Sequence, residues 1–243
     1  MGTTAFYYGF DRITAQDVNP IIYKVVDNAV VWVRDDYETS SDDSITSGLV
    51  WDGDARLYAT FTASSLLATG FPTGSGWLPV LATTGALVQA NAKVSVLVQI
   101  DPATGDALAG TFISSLLSTG KSNSMFPVML DIGLSETGDT QVLFEGGSSF
   151  NPRETDTTRM TDTGGYNAPH PYRVLFNETL SLALAAEAIG YNNVTGLSLT
   201  AGEHICEGQG NKAVPAPLWA TIVIAIGITT IVIGAGRQSR PFS

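Results

Sequence analysis

The strongest constraint on this chain is an uncharged segment of 18 residues, 218–235, which reads LWATIVIAIGITTIVIGA. As a helix rising about 1.5 Å per residue it is about 27 Å long, close to the roughly 30 Å hydrocarbon core of a bilayer. Trp219 lies at the start of this segment, and Arg237 and Arg240 follow it, as expected at the two membrane interfaces. The segment therefore predicts one C-terminal transmembrane helix with a short polar tail, 236–243. A buried core helix or strand is the alternative.

One stripe of this predicted helix carries small residues. Ala220, Gly227 and Gly234 are spaced by seven, and Thr230 falls beside them. Small residues allow two membrane helices to approach closely. We expect this stripe to pack on a partner helix, although small residues are also common in spans that pack on nothing.

The orientation of the head follows from the two ends of the chain. The first residues, MGTTAFYYGFDRITAQD, lack the basic and apolar regions of a cleavable signal peptide. We therefore expect a tail-anchored protein with its head facing the cytoplasm. The positive-inside rule favours an extracytoplasmic head, because Arg237 and Arg240 follow the span and only Lys212 closely precedes it. Asn177 and Asn193 also begin glycosylation sequons.

The C-terminal end resembles a bacterial PEP-CTERM sorting tail. The likeness begins at Val214-Pro-Ala-Pro217 and continues through the apolar span to the terminal arginine pair. It departs from the family pattern in reading Pro-Ala-Pro for Pro-Glu-Pro and in its sparse basic end. No function is carried over from it.

Residues 1–200 are predicted to form a β-rich head, joined to the span by a linker over 201–217. Two apolar runs within 21–34 flank Asp27–Asn28, which predicts a hairpin. Further strands are predicted at 45–51, 55–63, 93–100, 125–133 and 139–145, with a turn at 101–106. Strands punctuated in this way by Gly, Pro and Asp predict an antiparallel β-sandwich or barrel. Residues 177–189 predict a helix that ends at Gly190, with a strand as the alternative.

Residues 146–172 contain few aliphatic side chains and many turn formers. We expect a long surface loop that orders against a partner, so that deleting residues 155–164 would leave the head folded. The side chains expected to contact the partner are Arg153, Arg159, Tyr166, His170 and Tyr172.

Residues 60–70 and 111–120 resemble each other, each with Thr-Phe followed by Ser-Leu-Leu and ending in Thr-Gly. The echo indicates either a duplicated half-domain or a coincidence in a chain rich in Ser, Thr and Leu.

The sequence contains only weak signals for a catalytic, nucleotide-binding or metal-binding site. Gly120-Lys121-Ser122 ends like a phosphate-binding loop, but Ser115 stands where that motif needs glycine. His204 and Cys206 lack further zinc ligands nearby. The acidic runs at 35–38, 42–43 and 52–54 do not have the spacing of a calcium loop. We predict no catalytic, cofactor or metal site, and a net charge of -11 argues against nucleic acid as a partner.

These features predict a non-catalytic, single-pass membrane-anchored subunit of a large membrane protein assembly, such as an energy-converting complex. Its partners would be other membrane-protein subunits, contacted by the head and by the transmembrane helix, and the lipid bilayer. A virion structural protein tethered to a viral membrane is one alternative. A membrane-tethered ligand-binding or hydrolytic domain is another.

Overall fold

The computed structural model describes residues 2–14, 17–38, 43–64, 71–81, 91–164 and 167–192. These ranges are mainly β, with antiparallel sheets and no helix, which confirms the predicted class of the head. They include no helix long and apolar enough to cross a membrane. The predicted transmembrane helix at 218–235 lies outside them.

The described ranges contain thirteen strands in four sheets. In chain order they are β1 Thr4–Thr14, β2 Asp17–Val26, β3 Ala29–Arg34, β4 Ser44–Trp51, β5 Leu57–Ser64, β6 Lys93–Ile100, β7 Ala107–Ile113, β8 Ser115–Leu116, β9 Ser122–Asn123, β10 Phe126–Leu134, β11 Thr140–Ser148, β12 His170–Asn177 and β13 Ala183–Ala188. The first sheet is β1-β2-β3, the central sheet is β4-β5-β6-β7 and the third sheet is β10-β11-β12-β13. Strands β8 and β9 form a small hairpin.

Local turn chemistry explains why the predicted hairpins form where they do. Asp27 and Asn28 have φ angles of 50° and 65°, the left-handed pair that a tight two-residue hairpin turn requires. At the next predicted turn, the Asp101 amide donates to the Asp106 carbonyl at 2.8 Å. The strands predicted at 45–51, 55–63, 93–100, 125–133 and 139–145 correspond to β4, β5, β6, β10 and β11.

The helix predicted at 177–189 is wrong, and the strand alternative is correct. Asn177 ends β12, and its side-chain oxygen accepts the Leu182 amide while its carbonyl accepts the Leu180 amide. These bonds close a turn, and β13 then runs antiparallel to β12. Alanine favours helix, but here Ala183, Ala186 and Ala188 of β13 pack into the core and tertiary pairing overrides that preference.

The central sheet is covered on both faces. Leu57 and Tyr58 are adjacent and therefore point to opposite faces, yet both are fully buried. On the Leu57 side lies Trp51, its cross-strand neighbour, whose ring contacts Phe6 of the first sheet at 5.0 Å. On the other side the Tyr58 hydroxyl donates to the Glu178 carbonyl, in the β12–β13 turn. The first and third sheets thus pack on opposite faces of the central sheet.

The sequence echo has a structural counterpart. Its Thr-Phe pairs occupy matching positions on β5 and β7, the two neighbours of β6. The two cross-strand rows are Thr60–Leu97–Thr111 and Phe61–Val96–Phe112. The second half of the first copy, 65–70, lies outside the described residues, so the duplication stays a hypothesis.

The outer edge of β7 is covered by a segment of the chain itself. The Phe112 amide donates to the Leu78 carbonyl at 3.1 Å, and the Leu78 amide donates to Thr111 Oγ1 at 2.9 Å. Gly76 makes this approach possible, because a Cβ there would lie 2.0 Å from the Gly110 carbonyl oxygen. This edge is therefore closed to other strands.

Candidate interaction surface

The outer face of the first sheet is built from apolar side chains. Tyr7 lies opposite Tyr23, and Tyr23 lies opposite Val33. The two tyrosine rings stack with their centroids 5.4 Å apart. Because alternate residues of a strand share a face, two further cross-strand rows lie beside this one. They are Ala5–Val25–Val30 and Gly9–Ile21. These three rows, which contain no charged residue, are called the apolar face below.

A bulge in β3 enlarges the apolar face. Lys24 pairs with Trp32, but Val25 pairs with Val30, so Val31 is an extra residue on this strand. Val30, Val31 and Val33 are 59%, 54% and 51% exposed. Three neighbouring β-branched side chains are therefore in contact with solvent. Their apolar surface contributes little to the stability of this fold, because it is not buried there.

The inner face of the same sheet fixes its orientation. Ile22 is fully buried in the core. Lys24 Nζ and Trp32 Nε1 both donate to the Pro102 carbonyl, at 2.8 and 3.3 Å. These contacts hold the sheet against the central sheet and its β6–β7 turn. The apolar face consequently points away from the core.

An ion-pair cluster holds the end of β3 on the same turn. The Arg34 guanidinium pairs with Asp36 at 2.7 Å and also with Asp106. The hydrogen bonds to the two carboxylates raise the pKa of Arg34, and the guanidinium lowers the pKa of Asp36 and of Asp106. The Tyr37 hydroxyl donates to the Gly105 carbonyl beside this cluster. Arg34, Asp36 and Asp106 are thus held together where β3 meets the β6–β7 turn, whereas Asp35 is exposed.

The segment between β11 and β12, residues 149–169, is called the connecting segment here; it makes up most of the predicted partner loop. It is attached to its own domain. The Met160 amide donates to the Pro152 carbonyl, and Asn151 Nδ2 donates to the Met160 carbonyl. Met160 is fully buried in the core cluster. Trp77 Nε1 donates to the Thr155 carbonyl and fixes the tip.

Arg153 lies at the centre of these contacts. Its Nε donates to Ser114 Oγ, its Nη2 to Ser122 Oγ and its Nη1 to the Thr157 carbonyl, at 3.2, 2.8 and 2.7 Å. Burial lowers the pKa of Arg153 to about 10, because the charged form is taken out of water. The Tyr172 hydroxyl donates to the Arg153 carbonyl at 3.0 Å, and burial raises the pKa of this phenol. The arginine therefore joins the connecting segment to the β8–β9 hairpin.

The predicted partner-contacting side chains thus lie in different environments. Arg153, His170 and Tyr172 are buried within their own domain. Arg159 is exposed, with its Nε donating to the Leu116 carbonyl. Tyr166 lies outside the described residues. Contact of these side chains with a partner remains a prediction. Arg159 is the most exposed of those that the structure describes.

A polar groove of about 530 Å³ lies beside the β10–β11 and β12–β13 turns. Arg56 Nε donates to Glu178 at 2.9 Å, and Arg56 Nη1 pairs with Asp52 at 3.4 Å. Thr137 Oγ1 donates to Asp139 at 2.6 Å. Because these charged groups already bind groups of the protein, the groove offers no specific feature from which a ligand can be named.

The structure shows where the weaker candidates for a phosphate or metal site lie. Gly120–Ser122 belongs to the β8–β9 hairpin, and Ser122 Oγ is bound by Arg153. Asp36 pairs with Arg34, whereas the buried Glu38 accepts a hydrogen bond from Ser44 Oγ. Across the described ranges, no group of three His, Cys, Asp or Glu side chains is arranged to hold a metal. Other candidates fall outside those ranges: Asp42, His204, Cys206, Trp219, Ala220, Gly227, Thr230, Gly234, Arg237 and Arg240.

Strand β1 and the apolar face it helps to form were not predicted from the sequence. Residues 4–10 read TAFYYGF, an aromatic-rich run that favours a strand. This signal was present, but it lacks the strict alternation of apolar and polar residues that marks a half-buried strand. The reason is structural, since both faces of β1 carry apolar residues.

Comparison of the chain with protein-family models, with curated proteins and with solved structures finds no match.

Proposed function

We propose that this protein is a non-catalytic, membrane-anchored structural subunit whose β-rich head, a stack of antiparallel sheets, joins a larger membrane assembly. The observation that carries the proposal is the apolar face of the first sheet. Its exposed tyrosine and valine side chains form one uncharged surface, while the opposite side of the same sheet is fixed to the core.

Contact with protein is the use that best fits such a surface. Soluble monomers rarely expose large contiguous apolar patches, and those that exist usually mark binding sites. Aromatic residues are enriched at protein interfaces, where charged residues are depleted from the centre. The stacked pair Tyr7 and Tyr23, bordered by Val30 and Val33, has both properties.

The proposed anchor is the apolar segment 218–235, with its small-residue stripe on a partner helix and the head on the cytoplasmic side. Confinement to a membrane raises the effective concentration of the head near its partners. A face only three strands wide is then sufficient for stable assembly, because part of the entropic cost of association is already met by the anchor.

The proposal is tested with the full-length chain in membranes of its native cells. We expect the protein to stay with the membrane during alkaline carbonate extraction. In mild detergent it should migrate on native gels well above its own 25.6 kDa. Val33→Asp should shift the protein to a smaller species, because it places a charge on the apolar face.

Leu182→Asp is the matched control, since Leu182 is 53% exposed and lies in the β12–β13 turn, on another sheet. It should leave the assembly unchanged. Release of the wild-type protein by carbonate, or equal effects of the two substitutions on the assembly, would contradict the proposal. Protease digestion of intact cells and inverted vesicles tests the sidedness: the head should be cut only in inverted vesicles.

A further inference from the structure

Strand β3 is an edge of the first sheet. Among the described strands it pairs only with β2. Its sequence over residues 29–33 is AVVWV, which contains neither proline nor charge. Natural proteins usually protect an edge strand with lysine, proline, a bulge or a covering segment. Among the described residues the bulge at Val31 is the one such device on β3, and Val31 is itself exposed, as are Val30 and Val33.

Two other edges of this molecule show such protection. The edge of β7 is covered by the segment through Gly76 and Leu78. The edge strand β10 contains Pro127, which has no amide to donate, and a bulge follows it. The valine-rich edge of β3 differs from these two edges, because no covering strand lies on it among the described residues.

We propose that β3 pairs antiparallel with β3 of a second copy of this chain. The inference rests on the proposed function, because it names the partner of the same surface. Two-fold pairing places the same residues of both copies opposite one another, as in any isologous interface. The two first sheets then form one six-stranded sheet, and the two apolar faces become continuous.

Charge favours a second copy at this position. The chain has a net charge of -11, so two copies repel each other wherever their acidic surfaces meet. The apolar face and the β3 residues 29–33 carry no charge, and the Arg34 guanidinium is neutralised by Asp36 and Asp106. Along residues 29–33 two like-charged copies can therefore approach without charged side chains meeting, while the exposed Asp27 and Asp35 flank this stretch. A cationic partner would instead be attracted to the acidic surfaces.

Cysteine scanning along β3 tests this pairing in the detergent-solubilised full-length chain. Cys206 is first changed to serine, and single cysteines are placed at residues 29, 30, 31 and 33. Opposed residues of antiparallel strands lie about 4.5–5.5 Å apart, within the Cα range of a disulfide. Oxidation should give a covalent dimer whose yield peaks at one position and falls on either side of it. Leu182→Cys, with similar exposure, should give at least tenfold less dimer.

A second variant measures the affinity. Val31→Lys places the usual protective residue on the edge, and circular dichroism shows whether the variant is folded. The dissociation constant of the dimer, from light scattering of the protein in detergent, should rise at least tenfold. An unchanged constant would overturn the proposal. Stronger cross-linking at Tyr7→Cys or Tyr23→Cys than along β3 would also overturn it, because it indicates stacking of the apolar faces.

The two proposals fail in different ways. A monomeric wild-type chain whose larger native assembly is still broken by Val33→Asp rejects β3 self-pairing and keeps the proposed function. A chain that neither dimerises nor joins a larger assembly rejects both.

Discussion

The connecting segment and the apolar face reverse the usual relation between composition and burial. The connecting segment is polar, yet Arg153 and Met160 within it are buried, and the Arg153 side chain donates hydrogen bonds to Ser114 and Ser122 outside the segment. The first sheet is rich in tyrosine and valine, yet one whole face of it is in contact with solvent. Hydropathy alone therefore identified neither the part of this head that belongs to its core nor the part that is available to a partner.

The difference follows from the backbone groups of the two regions. An irregular segment must satisfy its amides and carbonyls locally, and here bonds from Arg153, Asn151 and Trp77 do so. A sheet satisfies its backbone by strand pairing, whatever its side chains are. Only one face of the first sheet packs on the core. The side chains of its other face are therefore not required for packing within the head.

The largest expected effect comes from deletion of residues 155–164. The polar composition of this segment predicts a folded head without them, but the contacts predict the opposite. The deletion removes the buried Met160 side chain, and it also removes the carbonyls that bind Trp77 and Arg153. We expect loss of the cooperative thermal transition of the full-length chain, measured by near-ultraviolet circular dichroism. A transition within a few degrees of wild type would show that the connecting segment is only an appendage.

A smaller effect is expected for Arg153→Ala. The substitution leaves the buried Ser114 and Ser122 hydroxyls without their donor, and it leaves a cavity. The cost should be on the order of 3 kcal/mol, which lowers Tm by about 6–12 °C for a chain of this size. Arg159→Ala is the control from the same segment, because Arg159 is exposed and makes one bond to a carbonyl. If the two variants have the same Tm, the buried arginine is not what joins this segment to the hairpin.

The smallest effect is expected on the apolar face. Val30→Thr keeps the β-branched shape and changes a side chain that is 59% exposed, so unfolding should shift by less than about 0.5 kcal/mol. Val142→Thr makes the same chemical change at a fully buried position of β11 and should cost about 1–3 kcal/mol. Chemical denaturation of both variants gives the comparison. A large loss for Val30→Thr would show that the apolar face is part of the core.

Several features of the head were predictable because they depend on local chemistry. Asp27–Asn28 gave the hairpin correctly, since these residues tolerate the left-handed conformation that the turn requires. Strand β6 was predicted with its correct bounds at residues 93 and 100, because a turn directly follows it. The helix expected after Asn177 was wrong for the converse reason. Its Ala-rich run has a helical preference, and only the pairing of β13 with β12 decides against it.

The sequence by itself determined the antiparallel, strand-rich class of the head and the positions of most of its turns, because glycine, proline, aspartate and asparagine act on the backbone within a few residues. Tertiary structure alone decided which polar residues are interior and which apolar residues are exposed. Arg153 is buried where Ser114, just before β8, and Ser122 of β9 accept its hydrogen bonds. Tyr7 and Val33 are exposed because the other face of their sheet is the one that packs on the central sheet. Burial depends on contacts between residues far apart in the chain, and no local pattern specifies those contacts.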